Sequence, residues 1–347
     1  MVEYSEKKRC PLISIIIPVF NMAGGIVRCL ASISSQLSEN MEVIVIDDGS
    51  TDKTGKVVKK YVSGNSHIQY AFQQHAGVST ARNTGISLAR GKFLMFIDAD
   101  DEIEDNYLLS IAKTAELSDA DILVWGIKRY YSDGKIEEWT PKLAGEYDRK
   151  GFLTAFPSEH YGVHNGLYGF VSNKLVKSAI IQDSNLRFNS AMNIMEDYDF
   201  FLDCYAHSNC FLCFPETGYR YMVDDDPTCP RLHKEVSYPQ LITVQTKCAD
   251  LLKEAEAWTY VNEQIILGAI GRLSLSMFLE MRHISYSSVK SKMCFIWKNP
   301  YCIPALIRTE TRWKLLRRML LDRNTLGTMA YAVMWNSYLR ARTRTKR

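Results

Sequence analysis

The stretch Gly91-Lys-Phe-Leu-Met-Phe-Ile-Asp-Ala-Asp-Asp101 joins a continuous apolar run to three carboxylates. Such an apolar run is typical of a strand that is buried on both faces of a parallel sheet. Carboxylates two residues apart in extended backbone project from the same side of the chain. The stretch therefore predicts a buried strand over residues 93–97 that ends in hard oxygen ligands.

The segments before it repeat this design and predict alternating strands and helices. Apolar runs at residues 12–17 and 43–46 end at Pro18 and at Asp47-Asp48. Strands that alternate with helices form βαβ units, whose right-handed crossovers produce a parallel sheet covered on both faces. Ligands of such sheets bind at the carboxyl ends of the strands. The other elements predicted here are a strand over 68–72 and helices over 25–36, 51–62 and 79–89.

Beyond residue 101 the pattern is less regular. Residues 140–190 are rich in Gly, Asn, Ser and aromatic residues, which predicts a loop-rich wall around a polar substrate. Two amphipathic helices are predicted over 238–283 and two more over 301–347. The intervening predictions are a helix over 107–117, a strand over 121–125, a hairpin over 127–139 turning at Asp133-Gly134, a helix over 195–205, a strand over 211–222 and a break at 224–230.

The charges of the chain are distributed unevenly. The 347 residues have a net charge of +3, but residues 301–347 contain eleven Lys or Arg and two Asp or Glu, a local net charge of +9. The first 300 residues therefore carry −6. An acidic body with a basic tail indicates a surface that meets an anionic partner, either lipid headgroups or nucleic acid. Nucleic acid is disfavoured, since no aromatic stacking module accompanies the basic residues.

The nine cysteines indicate a reducing compartment. They are odd in number and scattered, and residues 1–9 do not resemble a secretory leader, so we expect free thiols and a cytoplasmic location. No uncharged run near the C-terminus reaches the ~20 apolar residues that a membrane span needs. Cys204, His207, Cys210 and Cys213 recur at three-residue intervals, as metal ligands do. The favoured alternative is a short strand that places Cys210 and Cys213 on opposite faces.

Two acidic strand ends are candidates for chemistry. Asp98, Asp100 and Asp101 suit Mg²⁺ or Mn²⁺ shared with substrate phosphates, or alternatively form a solvated turn and helix cap. Asp47 and Asp48 can accept hydrogen bonds from a nucleotide, or they can cap the turn that follows them. No Gly-x-Gly-x-x-Gly stretch follows the first strand and the chain has no P-loop motif, which disfavours dinucleotide-binding and P-loop proteins.

In order and spacing, six stretches of the chain resemble the motifs of the family 2 glycosyltransferases, which are inverting enzymes with the GT-A fold. The resemblance covers about residues 12–222. It implies an α/β fold with a doubly wound, mostly parallel sheet and a C-terminal helical extension, in an enzyme of the bacterial surface-polysaccharide type. The stretches are Ser14-Ile-Ile-Ile-Pro-Val-Phe-Asn21, Glu42-Val-Ile-Val-Ile-Asp-Asp-Gly-Ser-Thr-Asp52, Gly77-Val-Ser-Thr-Ala-Arg-Asn-Thr-Gly85, Gly91 to Asp101, Ser172-Asn-Lys-Leu175 and Glu196-Asp-Tyr-Asp-Phe200.

The resemblance implies a role for each matching position. Asp100 matches the metal ligand, with Asp101 in close support, and Asp197 matches the catalytic base. Among the donor-binding positions, Asp48 matches the acid that contacts the nucleobase of the donor. Arg82 matches a position near the donor diphosphate, and Asp98 matches the residue that touches the ribose. The donor-binding positions are Pro18, Val19, Phe20, Asn21, Asp48, Arg82 and Asp98.

Elementary chemistry agrees with this interpretation. A divalent cation, Mn²⁺ or Mg²⁺, would neutralise the leaving diphosphate of a nucleotide-sugar donor, which we expect to be a UDP-hexose. A carboxylate at position 197 would take the proton from the attacking hydroxyl, and a single displacement inverts the anomeric carbon. The alternative for Glu196-Asp197 is a pair of acids that favour a helix N-terminus.

The chain departs from the family pattern in two places. Ser172 stands where relatives often have Trp, which affects packing at the acceptor site. Polymerising members carry Gln-x-x-Arg-Trp soon after the base, whereas the nearest stretch here is Thr309-Glu-Thr-Arg-Trp313, far downstream and without the Gln. We therefore expect one sugar to be transferred per acceptor.

The basic tail resembles that of enzymes that act on polyprenyl-diphosphate-linked oligosaccharides at the inner face of the cell membrane. Apolar and basic residues over 313–320 predict an amphipathic stretch for an anionic membrane surface. The alternative is that its apolar residues pack on the catalytic domain and only residues 340–347 are solvated. We predict a catalytic domain over 1–230, with a nucleotide-sugar half (12–101) and an acceptor half (102–230), and a helical region with a basic membrane-proximal tail over 231–347.

Two rival functions are considered. A sugar-phosphate nucleotidyltransferase shares the sheet and a metal-binding Asp, but it should have a Gly-rich, Arg-containing loop where Pro18-Val-Phe-Asn21 stands. A catalytically degenerate, membrane-associated scaffold is disfavoured by the intact Asp48, Asp100 and Asp197.

Overall fold

The computed structural model describes residues 10–162, 166–223, 236–281 and 283–344, with side chains as far as Tyr338. The chain forms two compact units, Met1–Lys234 and Glu235–Arg347, which are described separately. The break predicted at residues 224–230 and the N-terminal residues 1–9 lie outside the described residues. The domain boundary between residues 230 and 231 stays a prediction.

The described part of the first unit contains two sheets. The larger sheet has the strand order β3-β2-β1-β4-β10-β6-β11-β9, and the smaller has the order β5-β12-β7-β8. The strands are β1 (Ile13–Val19), β2 (Met41–Asp48), β3 (Ile68–Gln73), β4 (Phe93–Phe96), β5 (Glu102–Ile103), β6 (Ile122–Val124), β7 (Ile127–Tyr130), β8 (Ile136–Trp139), β9 (Gly145–Asp148), β10 (Lys174–Lys177), β11 (Cys210–Cys213) and β12 (Tyr219–Met222).

The larger sheet is mostly parallel, which confirms the predicted α/β class. Strands β3, β2, β1 and β4 pair in parallel, and so do β6 and β11. Strand β10 lies antiparallel between β4 and β6, and β9 lies antiparallel beside β11. Every residue of β1, β2 and β4 is buried, which explains their continuous apolar runs. The carboxyl ends of these three strands lie at one edge of the sheet.

Helices connect the strands of the first unit. Helix α3 packs on β1 and β2, and the approach is close: a Cβ atom at Gly85 would lie 2.3 Å from Cγ2 of Ile16. A side chain larger than that of Gly would therefore push α3 off the sheet. The helices are α1 (Ala23–Ser34), α2 (Thr54–Gly64), α3 (Val78–Leu88), α4 (Tyr107–Leu117), α5 (Arg149–Gly162), α6 (Ser178–Asp183) and α7 (Glu196–His207).

Two sequence predictions for this unit are wrong. Residues 140–190 contain β9, α5, β10 and α6 rather than a loop-rich wall. Three of these elements have four to six residues, too few to show a clear period, and α5 contains Pro157. The strand predicted over 211–222 is two strands, β11 and β12, which lie in different sheets. Pro215 and Gly218 lie between them and end the first strand.

The second unit is helical in its described part. It has three helices after residue 300 instead of the predicted two, with breaks at residues 309–313 and 322–324, and Arg323 in the second break has a positive φ of 55°. In the described residues, no helix is both long and apolar enough to cross a membrane. The helices are α8 (Tyr238–Glu254), α9 (Tyr260–Leu279), α10 (Tyr286–Lys298), α11 (Cys302–Arg308), α12 (Lys314–Leu321) and α13 (Thr325–Arg344).

The apolar face of α12 packs inside the second unit. Leu316 and Leu320 are buried, and Trp313, just before the helix, stacks edge-on against Trp335 of α13 with the ring centroids 4.2 Å apart. Leu315 alone of the large apolar side chains on α12 is strongly exposed among those described. Most of the apolar residues of this stretch therefore pack within the second unit itself and do not face a membrane.

Candidate active site

The loop after β1 is joined to the loop after β2 through Asn21. This residue has a positive φ of 47°, which Asn tolerates better than most residues. Its Oδ1 accepts hydrogen bonds from the backbone N–H groups of Thr51 (2.8 Å) and Asp52 (3.3 Å), and its own N–H donates to Oγ of Ser50 (2.9 Å). The predicted donor-binding residue Asn21 thus fixes the shape of the edge. Pro18 and Val19 are buried in β1 just before it.

The two carboxylates after β2 are both used in local hydrogen bonds. Asp47 accepts from the N–H of Ser50 and the hydroxyl of Tyr70, each at 2.8 Å. Asp48 is 3% exposed and accepts from the N–H groups of Ala76 and Gly77, each at 2.9 Å. The capping alternative therefore holds for Asp47, whereas Asp48 is bound by the loop that precedes α3, and its contact with a nucleotide stays a prediction.

A pair of aromatic rings flanks Asp48. The exposed rings of Phe20 and His75 are stacked, with centroids 4.1 Å apart and an interplanar angle of 22°. Nδ1 of His75 lies 2.8 Å from Oδ2 of Asp48. This places the predicted donor-binding residues Phe20 and Asp48 around one exposed aromatic surface.

Arg82 gathers three carboxylates at the same edge. It is 3% exposed, and its Nη1 donates to Oδ1 of Asp197 at 2.6 Å while its Nη2 donates to Oδ1 of Asp98 at 2.9 Å. Glu196 lies 3.7 Å from Nη1. Burial lowers the pKa of the guanidinium, but the three carboxylates more than offset this and raise it. Arg82, the residue predicted to meet the diphosphate, is therefore directed at Asp98 in the turn after β4 and at the candidate base Asp197.

Loop geometry places Asp197 beside Arg82. Met195 has a positive φ of 59° and turns the chain into α7, which puts Asp197 in the first turn of that helix. The loop before it is held to α3, because Asn83 exchanges two hydrogen bonds of 2.8 Å with the backbone of Phe188. The ring of Phe188 lies under the guanidinium of Arg82, 5.3 Å away.

The surroundings of Asp197 raise its pKa to a value that suits a general base. Burial raises its pKa to about 7, and the neighbouring charges of Glu196 and Asp98 act in the same direction. Arg82 and Lys174 oppose this rise. A carboxylate whose pKa lies near the operating pH is well suited to accept a proton from a hydroxyl group.

The carboxylates after β4 are crowded. Asp101 is 1% exposed and accepts hydrogen bonds from the hydroxyl of Tyr219 (2.6 Å) and the N–H of Met222 (2.8 Å). Burial raises the pKa of Asp101 well above its usual range, and repulsion from Asp98 and Asp100 adds to the rise. Asp101 thus supports the turn from within, and Asp98 and Asp100 stay partly exposed.

The carboxylate arrangement fits a cation that is shared with a substrate. The described residues contain no group of three or more His, Cys, Asp or Glu side chains placed to hold a metal by themselves. Mg²⁺ in phosphate-transfer sites commonly takes only one or two protein carboxylates and completes its shell with phosphates and water. The mutual repulsion seen at Asp101 is what a divalent cation at Asp98 and Asp100 would relieve.

The cysteine pattern does not form a metal site in the described residues. Cys204 and Cys213 are buried, whereas Cys210 is partly exposed on the opposite face of β11. Nδ1 of His207 lies 2.8 Å from the carbonyl of Asp203 and is engaged within its own helix. The favoured interpretation of buried thiols agrees with this arrangement.

Sequence reasoning did not predict that the side chain of Lys174 is buried. Its side chain is 1% exposed, and its Nζ donates to the carbonyl of Phe170 and to Oδ1 of Asn173, each at 2.6 Å. Burial lowers the pKa of this amine to about 7. Its motif was visible in the sequence, but its burial beside α7 was not, because strand β10 was not predicted.

Comparisons with known proteins agree with this fold. Residues 14–174 match the family model described as "Glycosyl transferase family 2". The putative glycosyltransferase EpsH of Bacillus subtilis is 28% identical over 261 residues, which cover 73% of each chain. Glycosyltransferase GlyA of Streptococcus pneumoniae is 38% identical over 125 residues, which cover 36% of this chain but only 18% of GlyA.

A solved structure has the same fold. The S. aureus TarS fragment 1–349, crystallised with UDP-GlcNAc, superposes with a TM-score of 0.68 at 19% identity, covering 95% of this chain and 92% of that one. The fold of this chain is therefore GT-A-like, and the matched family together with the relatives named glycosyltransferases indicates a transferase. The match to glycosyl transferase family 2 covers residues 14–174, somewhat under half of the chain.

Proposed function

We propose that this chain transfers one sugar from a nucleotide-sugar, a UDP-hexose, to a hydroxyl group of a glycan acceptor with inversion. The observation that supports it best is the bridge of Arg82 between Asp98 and Asp197. The guanidinium of Arg82 holds Asp98, which is expected at the donor ribose, close to Asp197, which is expected to be the catalytic base. A site for donor and acceptor together needs this juxtaposition.

The proton transfer is assigned to Asp197. The acceptor oxygen attacks the anomeric carbon, the bond from that carbon to the diphosphate oxygen breaks, and the hydroxyl proton passes to the carboxylate. Its pKa of about 7 leaves it substantially ionised near neutral pH. A single attack from the face opposite the leaving group inverts the anomeric centre.

Asp100 is proposed to hold Mn²⁺ or Mg²⁺, and Asp98 to contact the donor ribose. When bound, the cation would neutralise the charge of the leaving diphosphate. Arg82 is kept from the diphosphate by its carboxylate partners in this conformation, so its proposed task is to orient Asp98 and Asp197. Pro18, Val19, Phe20 and Asn21 are proposed to shape the nucleotide side of the site.

The acceptor is proposed to be a lipid-linked oligosaccharide in surface-polysaccharide synthesis. One relative is the minor teichoic acid biosynthesis protein GgaB of B. subtilis, 24% identical over 250 residues. The TarS fragment binds UDP-GlcNAc in its crystal, which supports a UDP-sugar donor. The rival nucleotidyltransferase function lacks support, because Pro18-Val-Phe-Asn21 stands where it needs a Gly-rich loop.

Helix α13 is proposed to hold the protein at the inner face of the membrane. Its exposed side carries Leu326, Ala330, Val333, Met334 and Tyr338, at helical spacing on one face. The chain adds a net charge of +9 over residues 301–347, which complements an anionic lipid surface. This exposed stripe replaces the α12 stretch that the sequence suggested.

A donor screen tests the enzymatic proposal. The thermal stability of the full chain is measured with a panel of nucleotide-sugars in Mn²⁺, and the product formed from the stabilising donor is analysed. We expect a UDP-sugar to raise the unfolding temperature most and the product to have the opposite anomeric configuration to the donor. Retention of configuration, or transfer of a nucleotidyl group, would contradict the proposal.

Vesicle sedimentation tests the membrane proposal. The double variant Val333→Asn, Met334→Gln removes two apolar side chains from the exposed stripe, so we expect it to lose most of its binding to phosphatidylglycerol vesicles. Leu117→Asn is the matched control, because Leu117 is exposed on α4 of the first unit. Equal sedimentation of the double variant and the wild type would show that α13 does not face lipid.

A further inference from the structure

The carboxylate of Asp48 has no lone pair left for a ligand. Its Oδ1 accepts from Nε2 of Gln73 (2.6 Å) and the N–H of Ala76 (2.9 Å). Its Oδ2 accepts from the N–H of Gly77 (2.9 Å) and faces Nδ1 of His75 (2.8 Å). A carboxylate offers about four acceptor positions. If Asp48 is to contact a nucleobase, one of these four partners has to leave.

Three of the four partners are fixed. Ala76 and Gly77 donate through the backbone. Gln73 is held at its other end, because Oγ1 of Thr84 donates to its Oε1 at 2.7 Å. These groups cannot turn away without moving the loop or breaking a second hydrogen bond.

His75 is the partner that can move. Its side chain is 57% exposed, and its ring contacts Asp48 and Phe20. Its backbone is packed, since a Cβ at Gly49, which has a φ of +80°, would lie 2.7 Å from the backbone N of His75. The imidazole can therefore swing out by side-chain rotation while the loop stays in place.

The imidazole makes the two contacts that a nucleobase would make. It is a flat heteroaromatic ring that stacks on Phe20 with centroids 4.1 Å apart, and it presents a ring nitrogen to Asp48. Uracil has the same combination of a stacking face and a ring N–H donor. We infer that His75 occupies the base subsite of the donor site when no donor is bound, and that the base of a uridine diphosphate displaces it from Phe20 and Asp48. This inference rests on the proposed function.

Nucleotide binding to a His75→Ala variant tests the exchange. Isothermal titration of the full chain with UDP in Mn²⁺ is compared with titration by inorganic diphosphate in Mn²⁺, which has no base. Because the wild type has to give up the stacked imidazole before it binds, we expect His75→Ala to bind UDP about fivefold more tightly. Its affinity for inorganic diphosphate should equal that of the wild type. Phe72→Ala is the matched control, because Phe72 is an exposed aromatic residue of β3, the strand just before His75. This variant should change neither affinity.

A second readout follows the ring itself. In the NMR spectrum, the imidazole protons of His75, assigned by their loss in His75→Gln, should lose the ring-current shift caused by Phe20 when UDP is added but not when diphosphate is added. Unchanged or weaker UDP binding by His75→Ala, or an unmoved imidazole signal, overturns the inference while leaving the proposed function standing. If the wild-type chain binds no UDP or any other nucleoside diphosphate, the proposed function fails and the inference fails with it.

Discussion

The turn after β2 and the turn after β4 are both acidic ends of buried parallel strands, yet their carboxylates have different surroundings. Asp47 and Asp48 receive hydrogen bonds from surrounding donors. Asp98, Asp100 and Asp101 lie close enough together that repulsion contributes to a raised pKa at Asp101. The acids of the first turn accept hydrogen bonds from several donors, whereas in the second turn the carboxylates repel one another and Asp98 pairs with Arg82.

Arg82 and Asp197 belong to the second turn in this comparison. Arg82 supplies the protein's own positive charge to Asp98 and Asp197. The cation proposed at Asp100 would supply the rest. Aspartates at the same edge of the sheet are thus proposed to serve recognition or catalysis, depending on the hydrogen-bond donors around them.

The largest effect is expected at Asp197. Asp197→Asn removes the proposed proton acceptor and should lower kcat by about 10³-fold, within the range for loss of a general base, with UDP affinity changed by less than about twofold. Asp199→Asn, in the same turn of α7, is the matched control and should keep most of the activity. Single-turnover kinetics and titration with UDP separate the two steps. Normal turnover by Asp197→Asn would remove it from the role of base.

The next effect contrasts the two turns directly. Asp100→Asn should weaken UDP binding about tenfold or more in Mn²⁺, because it removes a hard oxygen ligand, and should have little effect when the metal is chelated. Asp48→Asn should weaken UDP binding to a similar degree with and without metal, since its proposed contact is with the nucleobase. The measurement is titration with UDP in Mn²⁺ and in EDTA. A metal-dependent defect in Asp48→Asn would erase the distinction between the turns.

A smaller effect concerns the pH profile. Arg82 lowers the pKa of Asp197, which burial raises to about 7. Arg82→Met removes that charge, so the pKa rises further, and because the base works when ionised, the acid limb of kcat/KM should move to higher pH by about one pH unit. Arg82→Lys retains the charge and should keep the limb close to that of the wild type. An unmoved limb in Arg82→Met would show that another group controls the profile.

The smallest effect is on stability. Tyr219→Phe removes the hydroxyl that donates to Asp101 and should lower the free energy of unfolding by about 1–2 kcal/mol. Tyr107→Phe is the control: the Tyr107 hydroxyl is buried without a partner among the described residues, so its removal should be neutral or slightly stabilising. Urea unfolding of both variants checks this. Equal losses would mean that the Asp101 contact adds nothing.

The sequence predicts the first half of the sheet well and the second half poorly. Strands β1, β2 and β4 are short apolar runs that are rich in β-branched or aromatic residues and end in polar turns, which favours a buried strand over a helix. Strand β10 has four residues and begins with a buried lysine, so its pattern does not look like that of a central strand. Its place is decided by the neighbours β4 and β6, which lie far from it in the sequence.

The site is predicted as a set of residue types but not as a set of contacts. Asp98 and Asp197 are identified from their motifs, yet the bridge between them depends on Arg82, which is 115 residues from Asp197. The stacking of His75 on Phe20 likewise joins two loops that no local pattern relates. Contacts of this kind follow from the three-dimensional approach of elements and leave no periodic signal in the chain.

The position of β10 also has a consequence for how the chain is made. Strand β10 sits fifth in the eight-stranded order, between β4 and β6, although it is the tenth strand to be synthesised. Until residues 174–177 leave the ribosome, the β4 edge has no partner, and β6 has none either, because its other neighbour β11 is synthesised later still. Closure of the sheet is therefore a late, long-range event, and a pause in translation shortly after β6 would prolong the exposure of both edges.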